Sequence, residues 1–171
     1  MFPLNLLSKS QKYAIAQWLE SQAIGWYRER NLNRTEGQRH LEAKNWREAE
    51  RHFLLALGER RHSSSRTIEM SLGLAKAQRC QNKFSDAEQI VHAAIDLAAK
   101  QSSRALQSNA LDALVEIQMD RGVFAEAQKT AEENLRLETA QMKPNKQRLA
   151  LCSRRIANAL AKSGRLHEAT A

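Results

Sequence analysis

The sequence predicts an all-α protein built as a helical repeat array, and three observations carry that expectation. The 171 residues include only 2 Pro and 6 Gly, while Ala, Leu, Glu, Gln, Arg and Lys dominate, and all of these favour helix. No stretch alternates apolar and polar residues over the length of a strand. A short phrase also recurs: NWREAE (45–50), KFSDAE (83–88), VFAEAQ (123–128) and RLHEAT (165–170). Aligned on Ala49, Ala87, Ala127 and Ala169, the copies are 38, 40 and 42 residues apart, a period that marks a solenoid of stacked helix pairs.

The elements follow in order. The stretch 10–30 reads as an N-terminal helix entered from Ser8 or Ser10, with Ile15, Trp18, Leu19, Ala23 and Trp26 on one stripe. It is expected to cap the array; an arm that grips a partner is the alternative. Helix pairs are expected at 34–43 and 46–60, 66–81 and 84–100, and 103–120 and 124–141. A last helix at 145–163 is followed by a stub from 166. Each second helix opens on a bulky residue (Trp46, Phe84, Phe124, Leu166) after a turn signal: KN, QNK, RG or SG. Four and seven residues past each alanine come Phe53 and Ala56, Val91 and Ala94, then Ala131 and Asn134, a helical stripe facing the core. In the first helices a small residue recurs as Gly37, Ala75, Val115 and Ala157, so that neighbouring helices can approach closely. The chain stops two residues after Ala169. The expectation is a fragment of a longer array whose Ile156, Leu160 and Leu166 stripe lies open, a surface suited to self-assembly or a homodimer; the alternatives are that the last helix caps the array or that another copy covers the stripe.

These positions resemble the tetratricopeptide repeat (TPR) family, in the extended-repeat form of about 38–42 residues rather than about 34. The second repeat carries the motif most fully: Leu74, Ala75, Phe84, Ala87, Val91 and Ala94. Departures are Glu36 at an apolar position, Asn134 at the last alanine, and the missing proline after most second helices. A HEAT-like array has a similar period, but the turn and small-residue pattern favours the TPR type. The resemblance implies a right-handed α-solenoid of antiparallel pairs: a capping helix over 1–30, then three full repeats and a truncated fourth over 31–171. It also implies a concave groove lined by the first helices. There the resemblance places Arg34, Gln38, Lys76, Arg79, Asp112, Glu116, Arg154, Arg155 and Asn158. The family's carboxylate clamp is not intact, with Gly73 where an Asn belongs and Asn109 and Ala113 in place of a basic pair.

The chemistry of catalysis is not written in the chain. His40, His52, His62, His92 and His167 form no HExxH and no ligand spacing with Cys80 or Cys152, and no phosphate-binding or nucleophile motif occurs. His40 is expected between helices, and His52 and His92 on the surface. The expectation is a non-enzyme without metal or cofactor. Its free cysteines and lack of a leader or an apolar run of membrane-spanning length suggest a cytoplasmic setting.

The net charge of +8, from 27 basic and 19 acidic residues, allows an acidic or nucleic-acid partner, but the basic residues are dispersed. Nucleic-acid binding is therefore the alternative to a scaffold that holds a peptide segment or partner helix. The groove charges, basic at 76–79, acidic at 112–120 and basic again at 154–155, either meet a complementary ligand or pair with each other across repeats. RRHS (60–63) resembles a phosphorylation site, but the expectation is an exposed turn between repeats.

Overall fold

The computed structural model describes Gln17 and residues 32–58, 62–141 and 144–164. Among these the chain is helical throughout, with no strand. We label the helices α1 (32–42), α2 (Trp46–Gly58), α3 (Ser64–Arg79), α4 (Phe84–Lys100), α5 (Arg104–Arg121), α6 (Phe124–Thr139) and α7 (Lys146–Lys162). From α2 onward each helix packs on the next, and α3 also meets α5. The expected helices are thus present to within about two residues at most ends, as helix-end fraying allows. The capping segment, the stub from 166 and Leu166 lie outside the described residues, except that Gln17 is helical and exposed.

The recurring phrase corresponds to one local structure made three times. The chain turns with a left-handed residue at Lys44, Asn82 and Gly122 (φ 60°, 61° and 85°), and again at Gly164 (φ 81°). In the first three turns the amide of that residue donates to the carbonyl three back, and the following amide to the carbonyl five back. Thus Lys83 N–H reaches Gln78 O at 3.0 Å and Val123 N–H reaches Gln118 O at 3.0 Å. This is the Schellman closure of a helix end. The residue that closes one helix also starts the next, because the carbonyls of Asn45, Lys83 and Val123 accept from the amides of Ala49, Ala87 and Ala127. No side-chain cap is needed, and α4 and α6 have none. The longer connections into α3 and α7 are capped by side chains: Ser63 accepts from Arg66 N–H, and Asn145 from Gln147 and Arg148 N–H.

Ala49, Ala87 and Ala127 are the fourth residues of α2, α4 and α6, and all three are fully buried. A methyl at this depth lets the first helices lie close to the second ones. The apolar core is continuous in kind along the array. It runs from the Phe53–Met70–Leu74 cluster, through Ile68, Val91 and Leu114, to Val115, Ala127, Ala131 and Ala159. Phe53 marks the tightest joint. A Cβ at Gly37 would stand 3.1 Å from its ring and one at Gly73 only 2.5 Å, so the ring occupies space that both glycines leave.

Two expectations are corrected. The stripe expected to lie open at the C-terminal end is turned inward: Ile156 packs against the Val115–Ala127–Ala131–Ala159 cluster, and Leu160 is only 6% exposed. The reason is register, since the i, i+4 face holding both residues also carries Cys152 and Ala159 toward α5 and α6. His52, expected on the surface, is half-buried. It stacks on His40 with ring centroids 5.3 Å apart and bonds Asn33 at 3.1 Å.

Candidate functional site

The first helices of the pairs, α1, α3, α5 and α7, line two hollows. One, of about 570 Å³, is walled by Arg34, Thr35, Gln38, Arg39 and Glu42 of α1, with Glu69 of α3 and Phe53 behind. The second, of about 270 Å³, is walled by Arg79 of α3, Glu116 and Asp120 of α5, and Arg154, Arg155 and Asn158 of α7, over Val115 and Met119. Seven of the nine residues expected in the groove therefore border a hollow: Arg34 and Gln38 the first, and Arg79, Glu116, Arg154, Arg155 and Asn158 the second. Lys76 is exposed between the two positions on α3. Asp112 is half-buried, one helical turn before Glu116.

The charges expected to alternate along the groove answer one another. Arg79 reaches Glu116 at 3.0 Å and Asp120 at 3.3 Å. Arg155 pairs with Asp112 and lies 2.9 Å from Glu116. Arg34 meets Glu69 at 3.4 Å, with both side chains about half in solvent, so that contact adds little. Gln38 donates to Glu42 at 3.0 Å. Lys76, Arg154 and Asn158 are exposed, and Lys76 and Arg154 make no ion pair among the described residues.

Beneath the second hollow a polar lattice ties α5, α6 and α7. The Asn134 amide donates to Asp112 Oδ1 at 2.8 Å and to the Ser108 carbonyl at 3.2 Å, and accepts from Ser108 Oγ at 2.6 Å. Arg148 donates to the buried Glu138 carboxylate, to Ser108 and to Asn109 Oδ1. Burial pushes the Asp112 carboxyl above the ordinary carboxylate range, against the pull of Arg155 and Arg148 and the bond from Asn134. Burial likewise raises the Cys152 thiol, and Asp112 and Glu138 add to that. A buried thiol held protonated is a poor nucleophile.

Sequence reasoning missed Ser108, Asn134, Glu138 and Arg148. A signal was present: Asn134 and Glu138 interrupt with polar atoms the stripe that α4 fills with Ala94 and Ala98. Two polar residues i, i+4 on a core stripe require buried partners.

Among the described residues no group of three His, Cys, Asp or Glu side chains could hold a metal ion, and no helix is long and apolar enough to cross a membrane. No family model matches the chain, and no curated protein matches it.

Proposed function

We propose that this chain is a non-catalytic interaction scaffold of the TPR type, a right-handed superhelix that holds a peptide segment or partner helix against α1, α3, α5 and α7. The observation that carries the reading is the lining of the two hollows: both draw chiefly on the alternate helices α1, α3, α5 and α7, the helices that line the concave face in the family the sequence resembles. Ligand contacts fall to residues with no ion pair among the described residues, namely Lys76 and Arg154, together with Asn158. Arg79, Arg155, Asp112 and Glu116 act from behind, holding the wall at the right separation. The two free cysteines, Cys80 and Cys152, accord with a cytoplasmic setting.

Charge reversal separates these roles. Lys76→Glu with Arg154→Glu leaves helical circular dichroism unchanged and weakens binding of a partner recovered with the unaltered chain. Arg155→Glu places a third carboxylate beside Asp112 and Glu116 and lowers the melting temperature. If the exposed pair of reversals leaves partner binding intact, the groove is not the contact surface. Nucleic-acid binding is the second reading, favoured only by the net charge of +8. It requires affinity that falls steeply with salt, which a gel shift at low and moderate salt detects.

A further inference from the structure

The His40–His52 stack lies outside the groove chemistry described above, and its bonding fixes a protonation state. His52 Nε2 is 3.2 Å from an Arg51 Nη2 and its Nδ1 is 3.1 Å from Asn33 Oδ1. A guanidinium can only donate, so Nε2 accepts and carries no proton. The amide oxygen accepts, so Nδ1 carries the one hydrogen. Both partners therefore select the neutral ring. His40 closes over its face at 5.3 Å with the ring planes 11° apart. A proton on Nε2 would turn that acceptor into a donor facing a cationic donor and remove the bond.

We propose that His52, stacked on His40 and bonded to Asn33 of α1, is a pH-sensitive latch that holds α1 to α2 when its ring is neutral and loosens it in mild acid. The charged groups acting on His52 come from both helices: Arg51 and His40 oppose its protonation, whereas Glu36 and Glu48 favour it. Each of these carboxylates is engaged elsewhere, Glu36 with Arg39 at 3.1 Å and Glu48 with Arg51 at 2.9 Å. Burial, the largest influence, together with Arg51 and His40, holds the His52 ring below its ordinary value. A base depressed on folding contributes stability in full above its unfolded pKa, about 6.5, and loses it as the pH falls from there through the folded value. The latch thus opens on the acid side of neutrality. Because α1 supplies one wall of the larger hollow, opening would also dismantle that hollow. That consequence rests on the groove reading; the latch does not.

The test is made on the full chain without a ligand, so that it stands apart from the groove. Histidine ring resonances are followed by NMR from about pH 8 to about pH 5, with exposed His92 as the internal reference. The expected result is a His52 midpoint clearly below that of His92. Amide exchange over 33–42, corrected for intrinsic rates and compared with α4, should rise several-fold on the same acid limb. In His52→Gln, whose amide can keep both bonds without titrating, that rise should vanish. A His52 midpoint at or above that of His92, read on the unaltered chain, overturns the proposal, and so does an equal rise in exchange in His52→Gln.

Discussion

Gly73→Ala in α3 would normally stabilise a helix, and here it should do the opposite. Relative to glycine, alanine in a helix interior gains about 0.8–1.0 kcal/mol. At position 73, however, the new methyl would stand 2.5 Å from Phe53 Cζ and 2.8 Å from both Cε atoms, against a carbon–carbon optimum of about 3.5–4.0 Å. The ring must therefore move by about 1 Å. It has little freedom to do so, being 2% exposed and bounded by Gly37, where a Cβ would already be at 3.1 Å. Overpacking of this kind costs about 1–3 kcal/mol. Subtracting the helix gain leaves a net loss of up to about 2 kcal/mol, a fall in melting temperature of up to a few degrees for a chain of this size.

Thermal melts followed by circular dichroism at the helix band check the sign, which matters more than the size. Gly58→Ala is the control: no atom lies within 4 Å of the added Cβ, so that variant should melt at or slightly above the parent temperature. The double variant Gly73→Ala, Phe53→Leu should lose less than the two single losses added together, since the shorter side chain relieves the contact. If Gly73→Ala stabilises as Gly58→Ala does, the Phe53 ring is not wedged between α1 and α3 and the account of that joint is wrong.

Asn134→Ala restores the alanine that the other second helices carry at this position, yet it should destabilise by about 1–3 kcal/mol, because Ser108 and the Asp112 carboxylate lose a buried partner; urea denaturation measures it. Gly122→Ala should cost about 1–2 kcal/mol for forcing a Cβ into the left-handed region, whereas Asn82→Gly and Lys44→Gly at the equivalent turns should be neutral or slightly stabilising in the same melts. Burial pushes Glu50 up, but hydrogen bonds from Lys83, Gln81 and Gln78 reverse this and hold it below its ordinary value. Its contribution is therefore present above the unfolded pKa of about 4.5 and lost as the pH falls through the folded value, so Glu50→Gln should flatten the acid limb of the melting-temperature profile.

The architecture was legible because it is written in local chemistry. The bulky residue, the alanine three places on and the turn before them specify a Schellman closure followed by a buried contact, and both are short-range. Element ends came within about two residues for the same reason. The pairing of groove charges was not legible. Arg79 and Glu116 are 37 positions apart and Arg155 and Asp112 are 43 apart, and whether such residues meet depends on the rotation of one helix pair relative to the next. The same rotation decided that Ile156 and Leu160 point inward. His52 was misplaced because a lone histidine beside arginine reads as surface, and only the approach of α1 supplies Asn33 and His40.

The groove wall also changes character along the array, at a single equivalent position. Nine residues before the left-handed residues Lys44, Asn82, Gly122 and Gly164 the chain carries Thr35, Gly73, Ala113 and Arg155. Gly73 leaves room for the Phe53 ring, and Ala113 packs against the Ile68–Val91–Leu114 cluster. At the fourth copy a guanidinium takes their place, and no backbone approach comparable to that of α3 and α5 joins α5 to α7 among the described residues. A charge inserted between helices needs counter-charges, and Asp112 and Glu116 supply them from α5. Asp112 in turn needs a donor, which is Asn134 in the place of an alanine. Arg155, Asp112, Glu116 and Asn134 thus form one linked set across α5, α6 and α7, although they look unrelated in the sequence.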